Sequence, residues 1–159
     1  VMVQMQSSLA TVSPLATEPC LSAWRRATLR GNRAFERGDH ASALTQYRAA
    51  LSLADTFPGR SEDADAALAA LIVSHHNLLA LHERTGRTEC AATHVCRAHE
   101  LLHEIALDLA MPACWREAAW CHARVTYAEL LRFLQRHPGD ERARRAAALP
   151  WRDAAQAQH

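Results

Sequence analysis

Gly31-Asn32-Arg33-Ala34-Phe35-Glu36-Arg37-Gly38-Asp39 carries the end of one helical pattern straight into the start of another. A first helix is expected over Leu21–Arg37 and stops at Gly38, because glycine enters the left-handed backbone of a helix end without a Cβ penalty. Asp39 then stands where a side-chain oxygen can cap the next helix. That second helix, over His40–Thr56, sets Ala43, Leu44, Tyr47, Ala50, Leu51 and Ala54 on one face at three-and-four spacing. Two helices joined by so short a turn run antiparallel.

The same arrangement recurs further along. Asn77-Leu78-Leu79, His82 and Gly86-Arg87 precede Ala91-Ala92, Val95 and Ala98-His99. Laying Gly38 on Gly86 puts Ala43 on Ala91, Tyr47 on Val95 and Ala50 on Ala98. Phe57-Pro58-Gly59 ends the second helix. Ser61 is the expected N-cap of the third, with Glu62 and Asp63 as first-turn acids, and Arg84 closes it. The fourth helix, Thr88–Leu109, has the stripe Ala91, Val95, Ala98, Leu102, Ile105 and Leu109, with Arg97, Glu100, Glu104 and Asp108 opposite. Pro112 opens a fifth helix to Arg136, stopped by His137-Pro138-Gly139. Asp140 caps a sixth, to Leu149 before Pro150. The expectation is an all-α domain of three antiparallel hairpins over residues 19–150. A flexible Ser/Thr/Gln/Pro-rich segment, 1–18, precedes it, and a tail, 151–159, packs through Trp151 or frays.

Gly31, Gly38-Asp39, Ala43, Tyr47 and Ala50 resemble the tetratricopeptide repeat (TPR), whose pattern has glycine inside the first helix, Gly-Asp at the turn, and alanine, aromatic and alanine in the second helix. The match is specific over Trp24–Asp55, degenerate over His75–Leu107, and reduced to helix, Gly139-Asp140, helix over Ala113–Leu149. Its spacing departs from the family: 48 residues separate Gly38 from Gly86 and 53 separate Gly86 from Gly139, against a repeat of about 34. Longer helices around each inter-repeat loop account for the difference, as in long-helix TPR proteins. The resemblance implies a right-handed superhelical stack that binds a peptide or partner helix on its concave face. Arg25, Thr28, Asn32, Phe35 and Glu36 would line that face from the first repeat, and His76, Asn77, Ala80, Glu83 and Arg84 from the second. Asn32 and Asn77 match two asparagines of the family's carboxylate clamp. Its first lysine falls on Thr28, and no basic pair stands at the matching places of the third hairpin, which argues against a full clamp. The TPR-type chaperones of bacterial secretion systems are similar in size.

Composition agrees with helix: 33 of 159 residues are alanine against 5 glycine and 6 proline. All 18 basic residues are arginine, a bias fitting a GC-rich genome, so lysine Schiff-base and P-loop chemistry are excluded. A net charge of +1 without a concentrated patch does not suggest a nucleic-acid partner. No stretch reads as a membrane span or a secretory leader, so no membrane partner is expected. Cys20, Cys90, Cys96, Cys114 and Cys121 have neither CxxC spacing nor an even count. They are read as free thiols of a cytoplasmic protein.

Ten histidines are the most conspicuous chemistry. Cys96, His99 and His103 follow one stripe of the fourth helix and are the candidate metal ligands. They flank the apolar face without an HExxH-like motif, so half-exposed packing is the favoured reading and no cofactor is expected. His75 and His82 fall where the repeat family packs aromatics. Arg26, Arg30, Arg33 and Arg37 form a polar stripe suited to a terminal cap. Arg142, Arg144 and Arg145 are expected to pair locally with Asp140 and Glu141 on a solvated face. Trp115, Trp120, Tyr127 and Phe133 read as core. No catalytic constellation appears, and no catalytic residue is nominated. The expected role is a non-catalytic adaptor or chaperone-like module for a protein partner. A metal-binding or sensing helical protein, and a self-assembling homodimer joined through a terminal hairpin, are the alternatives.

Overall fold

A computed structural model describes residues 17–151 of the chain, and all of its regular structure is helical. Most of the 1–18 segment and residues 152–159 lie outside the described residues. Six helices follow in order: α1 Thr17–Glu36, α2 His40–Ala54, α3 Ala64–Arg84, α4 Thr88–Leu107, α5 Ala113–Arg136 and α6 Glu141–Ala147. The protein is therefore all-α, with three consecutive hairpins.

The first two hairpin turns share one geometry. Gly38 has φ +76° and Gly86 φ +70°. At the first, Gly38 N–H donates to Phe35 O and Asp39 N–H to Ala34 O; at the second, Gly86 N–H donates to Glu83 O and Arg87 N–H to His82 O. These paired bonds satisfy carbonyls that a helix end would leave orphaned. The third turn differs. Gly139 is not among the positive-φ glycines; His137 N–H closes the helix on Phe133 O, and Asp140 N–H bonds back no further than His137 O. Pro138 occupies this turn and has no N–H to donate.

Asp39 and Asp140 cap α2 and α6 as expected, accepting from Ser42 N–H at 3.1 Å and Ala143 N–H at 2.8 Å. Asp63, not Ser61, caps α3, accepting from Ala66 N–H at 2.9 Å. Ser61 instead accepts from Asp63 N–H, so the serine orders the loop while the longer carboxylate reaches the first turn. Helix α1 starts before Leu21, with Pro19 in its first turn, where a missing N–H costs nothing. Helix α4 ends two residues before Leu109, which stands 84% exposed.

Each hairpin packs on the next. Helix α3 lies against α2, α4 and α5, and α4 against α3, α5 and α6, while α1 touches α3 only sparingly. The apolar interior forms three clusters along the stack. One, around Ala34, Tyr47, Leu78 and Leu81, joins the first two hairpins. A second, around Leu68, Leu71, Leu102 and Trp115, is central. A third, around Val95, Cys96, Leu130 and Phe133, closes against α6. Helix α3 is long and apolar enough to cross a membrane by length and composition, contrary to the expectation that no stretch would be. Its apolar residues have a partner here, because its position at the centre of the stack buries Leu68, Leu71, Leu78 and Leu81.

Candidate functional site

The outward face of α1, α3 and α5 gathers most of the residues expected to meet a partner. On α1, Arg25 and Glu36 are exposed. Asn32 is half-buried and its Oδ1 accepts from Tyr47 OH at 2.9 Å. Phe35 is half-buried against the cluster of Ala34, Tyr47 and Leu81. Thr28 is buried, and its hydroxyl has no hydrogen-bond partner. On α3, Ala80 and Arg84 are exposed, while His76, Asn77 and Glu83 are half-buried.

Residues of α5 that sequence reasoning did not nominate complete this face. Arg136 donates from Nε and Nη2 to Glu83 Oε1, at 3.1 and 2.7 Å, tying α5 to α3. Arg132 donates to Glu129 in the same helix at 2.6 Å. His122 Nε2 and Asp65 Oδ1 make a further α3–α5 bond at 2.8 Å. Burial pushes the His76 pKa down; Glu129 opposes this and Arg132 adds to it, which places His76 beside that pair. Helix α1 joins the row through Trp24 Nε1–H, which donates to Ser74 Oγ at 2.8 Å. The signal was present in the sequence, since Glu129, Arg132 and Arg136 follow one helical stripe. Their partners on α3 were not.

Sizeable aliphatic side chains stand exposed on each of these three helices: Leu29 at 54% on α1, Val73 at 39% on α3, and Val125 at 52% and Leu131 at 40% on α5. Leu29 is four residues from Arg25 and three from Asn32. Val73 is four from Asn77 and seven from Ala80, and Val125 is seven from Arg132. Helical spacing therefore puts Leu29, Val73 and Val125 on the same stripes as those neighbours, while Leu131, six residues from Val125, faces another way.

The histidines are more deeply placed than expected. His99 is fully buried and His103 is 3% exposed, which corrects their reading as a half-exposed flank. The reason lies outside α4: Trp120, Tyr127 and Trp151 close over them, with Trp151 ring centroids 5.9 and 5.7 Å from His99 and His103. Thr126 spends its proton on Ala123 O, so His99 Nδ1 donates to Thr126 Oγ1 at 2.8 Å. Cys96 packs instead among Leu79, Val95, Leu130 and Phe133, and burial pushes its thiol up to about 12. Cys96, His99 and His103 do not converge. Among the described residues no three His, Cys, Asp or Glu side chains are placed to hold a metal ion. Between α3 and α4, His75 Nδ1 and His94 Nδ1 are 3.1 Å apart, and His82 stacks on His94. Burial lowers His75 to about 3 and His94 to about 4, so these rings are neutral near pH 7.

Two arginine expectations have different outcomes. Arg26, Arg30, Arg33 and Arg37 are all exposed, as a terminal polar face requires. Arg142 does not stay within its own helix. It reaches Thr93 Oγ1 at 3.2 Å and Glu100 at 3.6 Å on α4, because α6 packs there and Asp140 is occupied as its cap.

The family model for DUF2753, described as a protein of unknown function, matches residues 22–154. The chain belongs to the DUF2753 family. No curated protein and no solved structure matches it. In this DUF2753 chain the matched span takes in all three hairpins, the α1–α3–α5 face and the buried histidines. Chemically, the face offers a mixed surface of guanidinium, carboxylate, amide and isolated aliphatic groups. The buried imidazoles offer neutral rings held out of water.

Proposed function

We propose that this protein is a non-catalytic, TPR-like interaction module that binds a peptide or helix of a partner protein across the face of α1, α3 and α5. The observation that carries the reading is the row Leu29, Val73 and Val125, exposed aliphatics contributed by all three first helices and set among paired charges. Apolar anchors ringed by polar groups are the usual make-up of a recognition surface. Two further features support it. The first two hairpins close through identical glycine turns, and the ring of Tyr47 packs on Gly31 as the repeat resemblance implies. In a right-handed superhelical stack this face is the concave one, Arg25, Asn32, Glu36, Asn77 and Arg84 are its polar contacts, and Ala80 leaves room between them. The adaptor is proposed to act in the cytoplasm, with its cysteines free.

The test is a surface triple variant, Leu29→Asp, Val73→Asp and Val125→Asp, in crosslinking from the native host. Asn32 and Phe35 are poor choices for this, since both contact the folded interior. The variant should keep the wild-type unfolding midpoint and lose partners that the wild type captures. Retention of every partner at wild-type yield sinks the proposal.

A further inference from the structure

A cavity of about 180 Å³ lies at the turn end of the first two hairpins, away from the α1–α3–α5 face. It is walled by the first turn of α2, the last turn of α3 and the turn into α4. Ala41, Leu44 and Leu81 form its apolar side, and His40, His82 and Arg87 its polar side. His82 is only 3% exposed, yet the edge of its ring lines this space.

The charges that bear on His82 itself have one sign, although the exposed Asp39 carboxylate stands beside His40. Arg87 and Arg48 are the charges that bear on His82, and both are cationic. Arg87 stands at the N-cap of α4 without a capping side-chain bond, and Glu89 is the acid of that helix's first turn. The carbonyls that end α3 are already taken: Thr85 Oγ1 donates to Leu81 O and His82 O, and Arg87 N–H donates to His82 O. Asp39, the nearest carboxylate in sequence to His40, accepts from Ser42 as the α2 cap.

We infer that this cavity is a binding site for a small monocarboxylate with a short aliphatic body. The carboxylate lies toward Arg87 and His40 and takes a hydrogen bond from the neutral His82 ring. The aliphatic end rests on Ala41, Leu44 and Leu81. A single guanidinium beside a neutral imidazole matches one negative charge better than the two of a phosphate. The volume equals about six waters' share of the liquid, room for an acid of about five carbons.

The experiment uses the full chain and follows amide chemical shifts on titration with 3-methylbutanoate. The neutral 3-methylbutanamide, inorganic phosphate and a short peptide ending in leucine with a free carboxylate are run in parallel. The acid should shift Ala41, Thr85 and Arg87, and the amide should bind about tenfold more weakly or worse, because it lacks the charge-assisted bonds. Arg87→Gln, at an exposed position, should weaken the acid by a similar factor with an unchanged unfolding midpoint; His40→Gln gives an independent check. Binding by the peptide alone keeps the carboxylate chemistry and makes its source a protein C-terminus. Equal binding of the amide, equal binding of phosphate, or no shift with either carboxylate overturns the inference.

Discussion

The ring of Tyr47 sets one edge against Gly31: a Cβ built on that glycine would sit 2.5 Å from Cδ1 and Cε1 of the tyrosine. Nothing in the backbone of α1 asks for glycine there, since its φ is helical and alanine would be the better helix former by about 1 kcal/mol. The close approach of α2 does. Gly31→Ala should therefore destabilise despite its higher propensity, by about 1–3 kcal/mol, the cost of overpacking a close-packed contact. Urea unfolding checks the sign. Tyr47→Phe keeps the ring, loses only the bond to Asn32, and should cost about 1 kcal/mol.

The buried histidines set a pH dependence. In the folded state burial holds His75 at about 3 and His94 and His99 at about 4, against 6.5 for an exposed ring. The unfolded chain therefore binds more protons between these values, and stability rises with pH across that window. It is complete above 6.5, falls as the pH drops toward 4, and flattens below the folded values. Each such ring contributes up to about 1.4 kcal/mol per pH unit in the window. Urea midpoints at pH 7 and pH 5 should differ clearly, and His99→Leu should reduce the difference.

Trp151 covers His99 and His103 together with Trp120 and Tyr127. Trp151→Ala should expose that nest to water and raise the His99 pKa toward 6.5, since burial is the main cause of its depression. An NMR titration of the ring reads this directly. An unmoved His99 titration would show that Trp151 is not what keeps the site dry.

The Glu83–Arg136 pair has side-chain exposures of 28% and 46%. A pair so open to solvent contributes about 1 kcal/mol at most. A double-mutant cycle with Glu83→Gln and Arg136→Gln should give a coupling of that order, reduced by high salt because exposed charges are screened. A coupling above about 2 kcal/mol would mean the pair is more desolvated than its exposure indicates.

Cysteine reactivity should divide by burial. Cys90, Cys114 and Cys121 are exposed, while Cys96 is buried with its thiol held near 12. A thiol reagent in buffer should label the exposed three quickly and Cys96 only as the protein unfolds. Peptide mapping against time distinguishes them.

Local chemistry made the helices legible in the sequence. Gly38, Gly86 and the capping aspartates act through backbone groups within a few residues, so the hairpin turns and most helix limits follow from neighbours along the chain. The same reasoning erred where two local solutions compete, as with Ser61 and Asp63. The candidate face was partly legible: the repeat resemblance nominated Arg25, Asn32, Glu36, Asn77, Ala80 and Arg84, and the fold leaves all of them exposed or half-buried. The resemblance could not show that Arg136 reaches Glu83, nor that Arg142 leaves its own helix for Glu100, because those partners lie about 40 to 50 residues away and meet only when hairpins stack.

By itself the sequence determined an all-helical chain of three hairpins, with alanine at the helix contacts and glycine at the turns, since propensity, capping and periodicity are properties of short segments. Tertiary structure alone decided the fate of the histidines. His99 and His103 look like the edge of an amphipathic stripe on α4. They become neutral, buried rings because Trp120, Tyr127 and Trp151 arrive from α5 and the segment after α6 to exclude water, and desolvation is set by whatever closes over a group in space.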